Sequence, residues 1–138
     1  MEPKLDVLLV DDSHIALDRL EQQIAELDGL AIVGVASNGA AAVRLAREAS
    51  PDLVLMDMGM PGMDALSALS TILSAKPWLP VVLLITDEDD PARADEAIRL
   101  GARQVLPKPV DVDALAALVE SVRAERRSSE PARRVGAL

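Results

Sequence analysis

Four polar residues stand where short, largely apolar runs end. Asp11 and Asp12 follow Leu5 to Val10, Asp57 follows a run ending at Met56, and Lys108 follows Gln104-Val105-Leu106-Pro107. In an open α/β fold the ends of parallel strands share one edge, which is the usual ligand edge. Three carboxylates and one ammonium gathered there have a definite chemistry: the acids can hold a divalent cation, one acid can react, and the lysine can clamp negative charge.

The surrounding pattern supplies elements that can bring these groups together. Leu5 to Val10, Ala31 to Ala36, Leu53 to Asp57, Val81 to Thr86 and Gln104 to Leu106 are short β-compatible runs. Helical spacing fills the intervals. Ile15, Leu20, Ile24 and Leu27 form one apolar face, with Ser13 or Asp12 as cap. Ala40, Val43, Leu45 and Ala46 form a second behind a cap at Asn38, stopped by Ser50-Pro51. A third helix starts near Asp64, which also serves as its cap, and carries Leu66, Leu69, Ile72 and Leu73 to Ala75 before Pro77.

The fourth helical stretch, Pro91 to Leu100, uses Ala94, Ala97, Ile98 and Leu100 as its contacts and stops at Gly101. The fifth, Asp111 to about Arg127, repeats Val112, Leu115, Leu118 or Val119, and Val122 on one face. Five strands alternating with five helices predict an α/β fold, a (βα)5 unit with right-handed crossovers and helices on both faces of its sheet. No G-x-G-x-x-G follows the first strand, so the phosphate turn of a dinucleotide fold is missing.

Length and composition narrow the remaining classes. A chain of 138 residues predicts one domain with a genuine core. The absence of cysteine excludes disulfides and thiolate metal sites, and a single histidine, His14, excludes a multi-histidine site. No signal-peptide pattern is present, and no run approaches the roughly 20 apolar residues needed to cross a bilayer, so a soluble protein is expected. A net charge of −9, from 23 acidic and 14 basic side chains, argues against direct nucleic-acid binding by this segment. Arg123, Arg126, Arg127, Arg133 and Arg134 nevertheless make the end of the chain a distinct zone. The expected division is a domain over residues 1–125 and a flexible charged tail or truncated linker over 126–138.

Four elements in order, Val10-Asp11-Asp12, Asp57-Met58-Gly59-Met60-Pro61-Gly62-Met63-Asp64, Thr86 and Lys108-Pro109, make the sequence resemble a receiver domain of the two-component response-regulator family over roughly residues 4 to 125. The resemblance implies a three-layer fold with a five-stranded parallel sheet in the order 2-1-3-4-5. It also implies that Asp57 receives a phosphoryl group, as a carboxylate can, to give an acyl phosphate. Asp11, Asp12, Asp57 and the backbone carbonyl of Gly59 would form the site for Mg²⁺, with Mn²⁺ as an alternative hard cation. Thr86 would bind a phosphoryl oxygen and act as the switch, Lys108 would reach the phosphoryl oxygens, and the Lys108-Pro109 bond is expected to be cis. Each of these residues has a plainer reading as well: strand-end acids and hydroxyls often cap helices, and surface lysines are usually just solvated.

The chain departs from the family pattern in places that bear on signalling. Asp87 follows Thr86 where a small residue is usual, Val105 takes the place of a common aromatic switch residue, and Ala65 replaces a frequent glycine. The switch region is therefore expected to be Thr86, Asp87 and Val105, without aromatic rotation. Trp78, the only aromatic residue, is expected to cover an edge of the core between Pro77 and Pro80 rather than to serve an interface. Met56, Met58, Met60 and Met63 read as loop and core packing.

The function these features imply is a cytoplasmic phosphoacceptor. It would be charged by a histidine kinase or phosphotransfer protein, promote its own aspartyl phosphorylation and dephosphorylation, and switch a downstream protein or an attached or missing output domain. It is not expected to act as a conventional metabolic enzyme. The alternative is a phosphorylation-independent interaction module on the same fold. A small Mg-dependent phosphatase fits less well, because no second acid or base lies two residues after Asp57 and no substrate cap is present. Charged faces on the fourth and fifth helices make a homodimer or partner interface available, and ordinary solvated faces explain the same pattern equally.

Overall fold

The computed structural model describes residues 4–60 and 62–137. Pro61 and the side chains of Arg133 and Arg134, all named above, lie outside the described residues. The elements alternate as β1 (Leu5–Val10), α1 (His14–Ala25), β2 (Leu30–Ala36), α2 (Gly39–Glu48), β3 (Leu53–Asp57), α3 (Ala65–Ala75), β4 (Val81–Ile85), α4 (Pro91–Arg99), β5 (Gln104–Pro107) and α5 (Val112–Ala137). All strand pairs are parallel and the sheet order is β2-β1-β3-β4-β5, as the resemblance implies.

β1, β3 and β4 are nearly continuous in apolar residues because both faces of the central sheet are covered. Their side chains alternate between two cores. Leu8, Val10, Val54, Met56, Val81 and Leu83 pack with residues of α2 and α3. Leu5, Val7, Leu9, Leu55, Val82 and Leu84 pack with residues of α1 and α5. The chain leaves β1 for β2, then returns across β1 to β3, which makes the β1/β3 boundary the topological switch point. The crevice for a ligand therefore opens where β1 delivers Asp11 and β3 ends on Asp57.

Local chemistry sets the helix starts. Ser13 Oγ accepts from the Ala16 N–H at 3.2 Å, and Asn38 Oδ1 accepts from the Ala41 N–H at 2.8 Å. Ser13 rather than Asp12 is thus the α1 cap. Asp64 occupies the cap position of α3 but makes no capping bond; its carboxylate instead pairs with Arg93 of α4. The expected cap is corrected by an ion-pair partner that only the packing of α3 beside α4 brings near.

Several expected core positions also differ. Ile15 is 74% exposed, and Leu17 joins Leu20 and Ile24 in the buried face of α1. At about 100° per residue, Ile15 lies roughly 200° around the helix from Leu17 and so points away from the sheet. In α2, Ala40 is exposed and Ala42 is buried with Ala46. In α4 only Ala97 is buried, while Ile98 and Leu100 are exposed. Trp78 is 66% exposed, which overturns its placement as core cover. It lines an open groove with Pro51, Pro77, Pro80 and Arg103, whose other wall is α5 from Ser121 to Arg126. α5 continues past Arg127 to Ala137. Among the described residues no helix is long and apolar enough to cross a membrane.

Candidate functional site

The C-terminal ends of three strands and one loop converge on a single acidic cluster. Asp11, immediately after β1, is fully buried; its Oδ1 accepts from the Ser13 N–H at 3.0 Å. Asp57, the last residue of β3, is 6% exposed, and the nearby Gly59 N–H favours its charged form. Asp12 is exposed at the mouth. One carboxylate oxygen from each of the three acids lies within 4.8 Å of the others.

Lys108, just beyond β5, closes the cluster. Its Nζ donates to Asp11 Oδ2 at 2.7 Å and to Asp57 Oδ1 at 3.3 Å. The Lys108-Pro109 peptide bond is cis. These are charge-assisted bonds in a largely water-excluded place, where they are stronger than on a surface.

The electrostatics follow from this geometry. Burial, and then the charge of Asp11, push the Asp57 carboxyl above the ordinary carboxylate value, against the opposing pull of Lys108 and the Gly59 N–H. Burial pulls the Lys108 ammonium down, but its bonds to Asp11 and Asp57 and the charges of both acids together outweigh that, so its pKa is raised. The lysine stays charged, while two buried carboxylates share it.

The donor set fits a hard divalent cation. Its three acids each offer a carboxylate oxygen, clustered closely enough to share one ion.

Thr86 follows β4 at the same edge of the sheet and is exposed. Its N–H donates to Asp89 Oδ2 at 2.8 Å and its hydroxyl lies 3.4 Å from the same oxygen. Asp87 is exposed in the turn, and Val105, in β5, is half-buried against the α2/α3 core. Sequence reasoning missed Asp89. Its signal was available as an Asp three residues after a strand-end threonine, a spacing that closes a turn, but it was hidden in the acidic run Asp87 to Asp90.

Comparison with known proteins places the chain in a family. The family model of the response regulator receiver domain matches residues 7–120. The chain belongs to the response regulator receiver domain family. Response regulator GacA of Pseudomonas aeruginosa is 32% identical over 127 residues, which cover 92% of this chain and 59% of GacA. A protein-glutamate methylesterase/protein-glutamine glutaminase of Saccharophagus degradans is 40% identical over 74% of this chain and 28% of its own length. Among solved structures, the signal receiver domain of a modulated diguanylate cyclase from Desulfovibrio desulfuricans G20 superposes with a TM-score of 0.79 at 29% identity, covering 91% of this chain and 98% of that one. This receiver domain spans about half the length, or less, of the curated relatives it matches.

Proposed function

We propose that Asp57 is the phosphoacceptor of this receiver domain and that Asp11, Asp12, Asp57 and the backbone carbonyl of Gly59 hold Mg²⁺ or Mn²⁺ for the reaction. The observation that carries this reading is the Lys108 ammonium shared between Asp11 and Asp57 inside the three-acid cluster. An oxygen of Asp57 attacks the phosphorus of a phosphohistidine on a histidine kinase or phosphotransfer protein, the P–N bond breaks, and the imidazole leaves with the electron pair. The product is an acyl phosphate. The bound cation supplies charge neutralisation between the carboxylates and the incoming phosphoryl oxygens. Lys108 turns from Asp57 to a phosphoryl oxygen while Asp11 continues to hold it, and the Thr86 hydroxyl donates to another. Water attacking phosphorus later returns the free carboxylate and inorganic phosphate.

The consequence of phosphorylation is a rearrangement of Thr86, Asp87 and the adjoining Val105 region that changes binding of a downstream protein or of an attached output domain. The cytoplasm is the compartment that fits this role. Acetyl phosphate with Mg²⁺ should add one phosphoryl group, read by intact mass; Asp57→Asn and removal of Mg²⁺ should each abolish it. A folded chain that takes no Mg-dependent adduct from several donors would instead be a phosphorylation-independent interaction module.

A further inference from the structure

Asp89 spans the space between Thr86 and the wall of the acidic cluster. Its Oδ2 accepts from the Thr86 N–H at 2.8 Å and lies 3.4 Å from the Thr86 hydroxyl. The same turn is closed by the Asp89 N–H donating to the Thr86 carbonyl at 3.1 Å, and by the Glu88 N–H donating to Thr86 Oγ at 3.2 Å. A hydroxyl has one proton to give, and here it faces Asp89. The other oxygen, Oδ1, stands 3.3 Å from where a Cβ on Gly59 would lie, two residues after Asp57. Asp89 thus reaches over Gly59 to the rim of the cluster while holding Thr86 back.

We infer that Asp89 is a positioning residue that latches Thr86 in the unphosphorylated arrangement and is released when negative charge arrives on Asp57. The inference rests on Asp57 being the acceptor. Before its proton can reach a phosphoryl oxygen, the Thr86 hydroxyl must leave Asp89. Phosphorylation replaces the charge of the Asp57 carboxylate with that of a phosphoryl group, about −1.5 to −2 for phosphorylated side chains, and a carboxylate at the rim is repelled by the increase. A contact made in only one of two states biases the equilibrium toward that state, so the latch raises the phosphodonor concentration needed to switch the domain.

The test uses the whole chain with acetyl phosphate and Mg²⁺. In the unphosphorylated protein, Asp89→Ala should speed hydrogen exchange of the Thr86 amide roughly fivefold or more, the worth of one ordinary net hydrogen bond. Asp89→Asn, which keeps an acceptor oxygen, should restore that protection. Intact mass should show Asp89→Ala half-phosphorylated at a lower acetyl phosphate concentration than the parent, and the shift should be lost or much reduced in a Thr86→Ala background. Unchanged exchange at Thr86, or an unchanged half-point, overturns the latch. So does a shift that is equally large without the Thr86 hydroxyl, because Asp89 then acts through its charge alone. An adduct that survives Asp57→Asn overturns the acceptor assignment and the latch with it; an adduct lost with Asp57 but indifferent to Asp89 overturns only the latch.

Discussion

At Asp57 the fold holds a carboxylate that burial and the neighbouring Asp11 charge both penalise, with Lys108 and the Gly59 N–H opposing them. A carboxyl whose folded pKa is raised binds its proton more tightly in the folded chain. Its ionisation therefore costs stability as pH rises from the unfolded value of 3.8 through the raised folded one. Asp57→Asn should consequently be more stable than the parent at pH 7 without divalent cations, and the difference should shrink as pH falls toward 4. Urea melts at the two pH values measure this; a less stable Asn variant at pH 7 would contradict the origin given for the shift. The same argument predicts that Mg²⁺ raises the parent's Tm, by binding the folded state alone, and raises that of Asp57→Asn less. Lys108 behaves in the opposite sense. Its raised pKa means its contribution is fully present below 10.5 and is lost only as pH climbs through the folded value. Lys108→Met at neutral pH leaves Asp11 buried without its cation and should cost about 3 kcal/mol, the lower part of the range for stripping a buried charge of its partner.

Between elements, a buried arginine adds polar contacts to the apolar face by which α5 meets the sheet. Arg123 is 7% exposed and donates to the Gly29 carbonyl at 2.9 Å, in the turn that joins α1 to β2; Leu5 N–H of β1 donates to the same carbonyl at 2.8 Å. Gly29 has φ +79, in the left-handed region, and a Cβ there would run into the Arg123 guanidinium. Gly29→Ala should therefore destabilise the chain by about 1–3 kcal/mol, through both backbone strain and the displaced arginine. Denaturant unfolding decides this, and a neutral substitution would mean that Arg123 relaxes freely. Asn38→Ala, which removes one cap from α2 and no packing, should cost only about 1 kcal/mol. Strand and helix identities at this scale were legible in the sequence, since each rests on a local period. Partner choice was not: Asp64 stands at a cap position yet bonds to Arg93, 29 residues away.

For the molecule as a whole, two cores divided by the sheet carry the stability, one sealed by α2 and α3 and the other by α1 and α5. Leu69 and Leu115 are fully buried in opposite cores, so truncation of either to Ala should cost about 2–5 kcal/mol. Trp78 lies outside both. Its fluorescence in the folded chain should resemble that of a water-exposed indole and be quenched by acrylamide nearly as well as after unfolding. Blue-shifted, poorly quenched emission would show the residue covered.

The amino-acid sequence by itself determined the alternation of strands and helices and the placement of Asp11, Asp12, Asp57 and Lys108 at strand ends. These follow from period and turn chemistry, both local properties of the chain. Tertiary structure decided which side of each helix meets the sheet, so that Leu17 rather than Ile15 is buried and Ile98 is left in solvent. It also decided who bonds to whom at the cluster: Lys108 reaches Asp11 across 97 positions, and Asp89 comes to lie over Gly59. No local period encodes these contacts, because they exist only once parallel pairing has brought the ends of β1, β3, β4 and β5 to one edge.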